Sequence, residues 1–269
     1  MTKHPITIHD ITVLGKPLKW ARWNHPLNRE DAMTIDSLAG IYQRFIKPGH
    51  MVIDIGAFTG DNTLAMAVCA GKEGHVVAYE PNLGPYEALY NNAVLNTDVT
   101  HISVHNVALM PENRTGKHQF FYSDPDHCNG GARHSAPADR VQHTYQLEVS
   151  AREVFMELHK VEMNFLKVDT EGMDYHILHE IQAAIVSKRP IIHCEMFPDV
   201  APSTRLDYHQ LCRLMNYIPF YFFNAGPPVV LKTSHFVEPK SFFDMLWIPE
   251  ERVKEFDDYN TSWIVQRNS

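Results

Sequence analysis

Met51-Val52-Ile53-Asp54-Ile55 runs directly into Gly56-Ala57-Phe58-Thr59-Gly60, and a helical stretch follows from Asn62 to Ala70. A short apolar run, two glycines and an apolar helix read as strand, tight turn, helix. The rhythm repeats. Val76-Val77-Ala78-Tyr79 ends in Glu80-Pro81-Asn82, after which Tyr86, Leu89, Tyr90, Ala93 and Val94 recur at helical spacing. A third strand fits Ile102 to Ala108, before the turn-like Pro111-Glu112-Asn113-Arg114-Thr115-Gly116. Further on, Asn164 to Val168 reads as a strand ending in Asp169-Thr170-Glu171-Gly172, and Tyr175, Ile177, Leu178, Ile181 and Ile185 mark one helix behind it. Strand Arg189 to Glu195, helix Thr204 to Met215, strand Ile218 to Phe223 and a closing strand Phe242 to Pro249 complete the pattern.

Parallel strands need crossover connections, and those are nearly always right-handed helices. The alternation therefore predicts an α/β, Rossmann-like, doubly wound sheet of seven mostly parallel strands, helices on both faces and the last strand antiparallel. Residues 1–50 are mixed in character and close on Lys47-Pro48-Gly49; they read as an N-terminal cap before one globular unit, 51–269. Between Ser123 and Gln142 the chain is polar and rich in His, Gly and Pro, as a long loop over a site would be. Its histidines, His127 and His134 among them, suit a lid or a solvated loop.

With 44% hydrophobic residues among 269, the chain has enough apolar surface for a sizeable core. The formal net charge of −8 argues against a nucleic-acid partner, which needs clustered Lys and Arg. Met1 to Asp10 is not an apolar leader, and no run approaches the ~20 apolar residues of a membrane span. The expectation is a cytoplasmic protein. Cys69, Cys128, Cys194 and Cys212 have no paired short spacing and read as buried free thiols.

Ligands of open α/β sheets bind beyond the carboxyl ends of the strands, and here those ends are acidic: Asp54, Glu80, Asp169, Glu171 and Glu195. Gly56 and Gly60 allow close backbone approach, which suits a nucleotide-like ligand. Phe58 breaks the G-x-G-x-x-G dinucleotide pattern, and Asp54 would repel a pyrophosphate. A sulfonium with an amino-acid tail fits better, its cation tolerating Asp54 and its carboxylate received by amides near Gly56. Glu80, about 20 residues on, is placed to accept from both ribose hydroxyls.

Val52 to Gly60, Ala78-Tyr79-Glu80-Pro81-Asn82 and Phe165-Leu166-Lys167-Val168-Asp169-Thr170-Glu171-Gly172 resemble the three signature blocks of the FkbM family of methyltransferases. The third block is the more specific. The resemblance runs from about Met51 to Pro249 and implies a class I fold that transfers methyl from S-adenosylmethionine, usually to oxygen of a sugar or secondary metabolite. By position it implies that Asp54, Gly56, Ala57, Phe58 and Gly60 line the methionine and ribose side, that Glu80 and Pro81 hold the ribose, and that Val107 and Ala108 lie near adenine. Phe58 stands where a small polar residue is frequent.

Transfer to a hydroxyl is an in-line displacement and needs a group to take the proton. Asp169 and Glu171 are placed for this, and strand alternation puts His193 and Glu195 on one face beside them. Mutual repulsion is expected to raise one carboxylate to the working pH and make it the base. For His193 alone a satisfied core histidine is the better reading, and the aromatic run Phe220 to Phe223 reads as core before substrate surface. A divalent cation on the same acids is the second reading, but the spacing matches no ligand motif and metal is not expected. The acceptor is expected to be a small molecule or glycan. An NAD-dependent oxidoreductase and an inactive adenosine-binding scaffold are the alternatives, the first weakened by the missing third glycine.

Overall fold

The computed structural model describes residues 4–26, 28, 31–112, 119–122, 130–131, 142–144, 148–197, 200–223, 226–238 and 242–267. The chain enters through a hairpin of β1 (Ile6–Val13) and β2 (Lys16–Trp23), then helix α1 (Ala32–Tyr42). Strand β3 (Met51–Ile55), helix α2 (Asp61–Ala70), strand β4 (His75–Tyr79), helix α3 (Leu83–Val94) and strand β5 (Ile102–His105) follow in the expected rhythm. Short strands β6 (Ala108–Met110), β7 (Gln119–Tyr122), β8 (Gly130–Gly131), β9 (Gln142–Thr144) and β10 (Glu148–Ser150) lead to α4 (Ala151–Glu157). The second half holds β11 (Phe165–Val168), α5 (Asp174–Glu180), α6 (Gln182–Lys188), β12 (Ile191–Met196), α7 (Pro202–Leu214), β13 (Tyr217–Tyr221), α8 (Thr233–Val237), β14 (Phe243–Pro249) and α9 (Asp257–Arg267).

Seven of these strands form one sheet in the order β13-β14-β12-β11-β3-β4-β5. β3 pairs parallel with β4 and β11, β11 with β12, and only β14 runs antiparallel to its neighbours β12 and β13. This is the Rossmann-like doubly wound arrangement expected from the sequence. The strand order reverses direction between β3 and β11, and ligands of such sheets bind at that switch point. One face of the sheet buries Ile53, Val77, Leu166, Ile192 and Trp247 under the second-half helices. The other buries Val52, Val76, Phe165, Ile191 and Leu246 with Ile35, Ala39 and Tyr42 of α1 and most of α2.

Residues 1–50 are expected as a cap, and the described part of them is tied to the sheet domain by specific bonds. Asn92 of α3 and Asn96 just beyond its end turn their amides to β2: Asn92 Oδ1 accepts from Ala21 N–H at 2.7 Å and Asn96 Oδ1 from Lys19 N–H at 2.8 Å. The open edge of β2 is thus satisfied by side chains instead of another strand.

Two element boundaries differ from expectation. The third strand ends at His105, not Ala108, because Asn106 spends its side-chain amide on the carbonyls of Glu80 and Pro81, at 2.9 and 3.1 Å, and Ala108 to Met110 pair instead with β10. The helix behind β11 is two helices, broken at Ile181, where φ is −97° and ψ 11°. The same apolar stripe of Ile177, Ile181 and Ile185 continues across the break, so periodicity cannot reveal it. No helix among the described residues is long and apolar enough to cross a membrane.

Candidate active site

The turn after β3 is the loop expected to border the cofactor. Gly56 has φ 81° and Gly60 φ 92°, both left-handed. A Cβ on Gly56 would lie 1.8 Å from the backbone oxygen of Asp169, and one on Gly60 would lie 2.8 Å from Leu89 Cδ1. The first glycine is therefore where the loops after β3 and β11 interlock. Phe58 also has positive φ, 50°, as do Glu171 after β11 (55°) and Phe223 after β13 (57°). Non-glycine residues in this region store strain and concentrate at functional sites, and here three stand beyond the carboxyl ends of sheet strands.

The loop's own amides are already used. Gly56 N–H and Ala57 N–H both donate to the Tyr79 carbonyl at 3.0 Å, Gly60 N–H donates to Ala57 O at 3.0 Å, and Phe58 N–H donates to Glu80 Oε2 at 2.9 Å. The expectation that amides near Gly56 receive a carboxylate is thus corrected for Gly56 and Ala57, because strand β4 has claimed them.

Glu80 ends β4 with both oxygens engaged: Oε2 by Phe58 and Oε1 by Asn82 N–H at 2.7 Å. Each oxygen keeps a second lone pair, the geometry a ribose diol needs. Burial pushes this carboxyl up to about 7, against the pull of the two amide bonds. Pro81 lies half-buried beside it. Beyond β5, Val107 packs half-buried and Ala108 is buried at the head of β6.

Asp54 is fully buried one register step from Lys167, which stands in turn beside His193 across the parallel ladder. Thr63 Oγ1 donates to Asp54 Oδ2 at 2.6 Å, whereas Asp54 Oδ1 has no hydrogen-bond partner and lies 3.7 Å from Lys167 Nζ. Burial raises the Asp54 carboxyl, opposed by Lys167 and Thr63. Lys167 Nζ donates to Asp169 Oδ2 at 3.0 Å. Burial works to lower the Lys167 ammonium, but Asp169 and Asp54 outweigh it, and the group stays charged. Asp169 is 34% exposed, so Lys167 backs a carboxylate that remains partly open to solvent.

Asp169, Glu171 and Glu195 are brought together as expected, with Asp174 and Asp244 added. Burial, then Asp169, Asp174, Glu171 and Asp244, push Glu195 up to about 10. Burial and the neighbouring acids thus favour the protonated form of Glu195. Asp174 is pushed to about 7, by burial first and Asp169 next, but its oxygens are occupied by Thr170 N–H (3.0 Å), Thr170 Oγ1 (2.7 Å) and Glu195 N–H (3.3 Å). His193 is buried with both ring nitrogens engaged, Nδ1 by the Tyr42 hydroxyl and Nε2 by Asp244 Oδ1, each at 2.9 Å. Asp244 feels burial upward, yet the His193 hydrogen bond and charge, with Lys167, leave it below the usual range.

Among the described residues no three His, Cys, Asp or Glu side chains are grouped to hold a metal ion. Phe220 and Phe222 are core; Phe223 is 42% exposed, its ring 5.4 Å from His193. Cys69, Cys194 and Cys212 are buried free thiols. Cys128, His127, His134 and most of the His-rich loop fall outside the described residues. Sequence reading passed over Lys167, Asp174 and Asp244 as site residues. Lys167 and Asp244 carry the signal that exposed Asp54, a lone charge inside an apolar strand. Tyr42 carries none.

A family-wide sequence profile described as the methyltransferase FkbM domain matches residues 54–217. That span covers well over half of the chain and includes the glycine loop, Glu80, the acids after β11 and Glu195 near the end of β12. The fold and site define a methyltransferase that uses S-adenosylmethionine, and the chain belongs to the FkbM methyltransferase family. No curated protein matches it. Similar solved structures include the O-methyltransferase of Bacillus cereus in complex with SAH, at 12% identity over 84% of each chain and TM-score 0.45. M. jannaschii TYW2 in complex with AdoMet has 12% identity over 92% of this chain and 86% of its own, TM-score 0.44. Precorrin-6y C5,15-methyltransferase from Geobacter metallireducens has 9% identity over 83% and 93%, TM-score 0.43. At such identities the likeness says nothing about the acceptor.

The residues present suit the cofactor. Asp54 Oδ1 is buried without a hydrogen bond, 3.7 Å from Lys167 Nζ, and each Glu80 oxygen keeps a lone pair that a ribose hydroxyl could meet.

Proposed function

We propose that the chain is a cytoplasmic O-methyltransferase acting on a hydroxyl of a sugar, glycan or small polyol metabolite. The observation that carries this reading is Asp169, a part-exposed carboxylate fixed by Lys167 beside Glu195, whose own carboxyl is pushed up by burial and its acidic neighbours. S-adenosylmethionine supplies an electrophilic methyl group when bound. Glu80 and Pro81 hold its ribose, the loop of Asp54, Gly56, Ala57, Phe58 and Gly60 borders its methionine half, and Val107 and Ala108 border adenine.

Asp169 accepts the proton of the attacking hydroxyl through the oxygen that Lys167 leaves free, and Lys167 keeps that carboxylate oriented. Glu195, as a neutral acid, donates a hydrogen bond to an acceptor oxygen. Glu171, held at positive φ after Asp169, adds negative charge beside Glu195. His193 has no nitrogen left for substrate and serves from behind. Residues 51–269 form the methyltransferase domain and 1–50 its N-terminal extension. The formal charge of −8 suits a neutral acceptor over nucleic acid.

An acceptor screen with radiolabelled methyl donor, run over glycans, polyols and nitrogen-bearing metabolites, tests this. Label on hydroxyl-bearing acceptors, lost in Asp169→Asn, is the expected result. Label confined to nitrogen or carbon acceptors would overturn it.

A further inference from the structure

Tyr42 ends α1, and its ring is wholly buried against Phe165, Phe222 and His193. Its hydroxyl meets two groups: Asn62 Oδ1 at 2.6 Å and His193 Nδ1 at 2.9 Å. A phenol has one proton to give. Burial, then Asp54, Asp61, Asp244 and Asp169, keep that proton on the oxygen. The 2.6 Å contact has the length of an O–H to oxygen bond and is short for one from nitrogen. Asn62 Nδ2, moreover, points to Asp61 Oδ1 at 3.4 Å, and turning the amide round would set its oxygen against that carboxylate.

The Tyr42 proton therefore goes to Asn62. His193 Nδ1 then meets a phenol oxygen that can only accept, and Nε2 meets Asp244 Oδ1, a carboxylate oxygen that can only accept. Both ring nitrogens are donors. The charged groups around the ring allow this: Asp244 from β14 and Asp54 from β3 favour a charged ring and Lys167 from β11 opposes it, while Phe222 and Phe223 also pack on the ring. Asp244 pairs across the ladder with Glu195 and is 29% exposed, so it opens onto the same acid cluster as Asp169.

Tyr42 precedes the family-matched segment and Asp244 follows it. We infer that Tyr42 is a positioning residue for the acceptor side: it fixes the His193 ring with both nitrogens donating, and His193 holds Asp244 to bind a second hydroxyl beside the one that Asp169 serves. The inference rests on the proposed hydroxyl acceptor and narrows it to substrates with neighbouring hydroxyls, as in a sugar or polyol. Asp169 is to Lys167 as Asp244 is to His193.

The test is histidine-selective 15N labelling of the full chain at pH 7, with the His193 signals assigned by their loss in His193→Gln. Two proton-bearing ring nitrogens are expected. In Tyr42→Phe the Nδ1 proton loses its acceptor and exchanges with water at least about tenfold faster, the equivalent of one ordinary hydrogen bond, while affinity for S-adenosylhomocysteine by calorimetry stays within about twofold. Asp244→Asn, on the open side of the ring, gives the same acceleration at Nε2 and stands in should the tyrosine variant fail to fold. A wild-type ring with one bare nitrogen, or Nδ1 exchange unchanged in Tyr42→Phe, would overturn the role of Tyr42. Both signals intact with methyl found on a nitrogen acceptor would instead overturn the hydroxyl reading and the role given to Asp244.

Discussion

The cofactor side joins near neighbours in sequence: Phe58 and Glu80, whose bond shapes it, are 22 positions apart. On the acceptor side Tyr42 and His193 are 151 positions apart, and His193 and Asp244 are 51. The first side is made largely by backbone, through left-handed glycines and amides directed at Tyr79 and Glu80. The second is made by side chains from five elements that only the finished sheet brings together. Backbone geometry must be encoded where it occurs, whereas a side-chain cluster needs only the right residue at each strand end. The two sides should therefore fail differently when altered.

The largest effect is expected where they interlock. Gly56→Ala places a Cβ 1.8 Å from the Asp169 oxygen at φ 81°. Overpacking plus left-handed strain should cost about 3 kcal/mol or more, a fall of roughly 6 °C or more in Tm. Thermal unfolding checks this, and a variant as stable as wild type would separate the halves more than the geometry allows.

Asp169→Asn comes next. Turnover should fall about 100-fold or more, the usual share of a general base. Affinity for S-adenosylmethionine should stay within about threefold, since cofactor contacts lie elsewhere. Measuring both on one preparation sharpens the division; equal losses in the two would erase it.

Glu80→Gln should weaken cofactor binding by about tenfold, on the scale of a charge-assisted hydrogen bond. Wild-type binding should also depend on pH. Glu80 sits at about 7 in the free protein, and ribose hydroxyls donate to its ionised form. The dissociation constant should therefore fall as pH rises from 6 to 8 and level off above, while Glu80→Gln stays flat. Calorimetry across that range reads the sign directly.

The smallest effect is expected at Glu195→Gln. Burial and its acidic neighbours push Glu195 upward and favour its neutral form, so an amide of the same shape should change turnover by less than about threefold. A loss as large as that of Asp169→Asn would show that Glu195 is the proton acceptor.

Sequence legibility follows the same divide. The alternation of strands and helices and the glycine loop are readable because Gly56, Gly60 and Glu80 sit at fixed spacing around apolar runs, whereas the order of the strands in the sheet is seen only in the structure. The breaks at Asn106 and Ile181 are not, since one depends on a side-chain bond to Glu80 and Pro81 and the other leaves the apolar stripe intact. Asp169, Glu171 and Glu195 are legible as acids at strand ends, but burial is not: it is the first cause that drives Glu195 to about 10 and Asp174, which no pattern marks, to about 7. Tyr42 is one aromatic among several in the first fifty residues, and only the packing of α1 on the sheet gives it a function.

The most direct test of the account follows the methyl carbon. With 13C-methyl S-adenosylmethionine and an acceptor bearing adjacent hydroxyls and an amine, the product's methyl resonance should be that of a methoxy group on one hydroxyl. A methyl resonance on nitrogen would contradict the assignment of Asp169 and its neighbours to a hydroxyl acceptor.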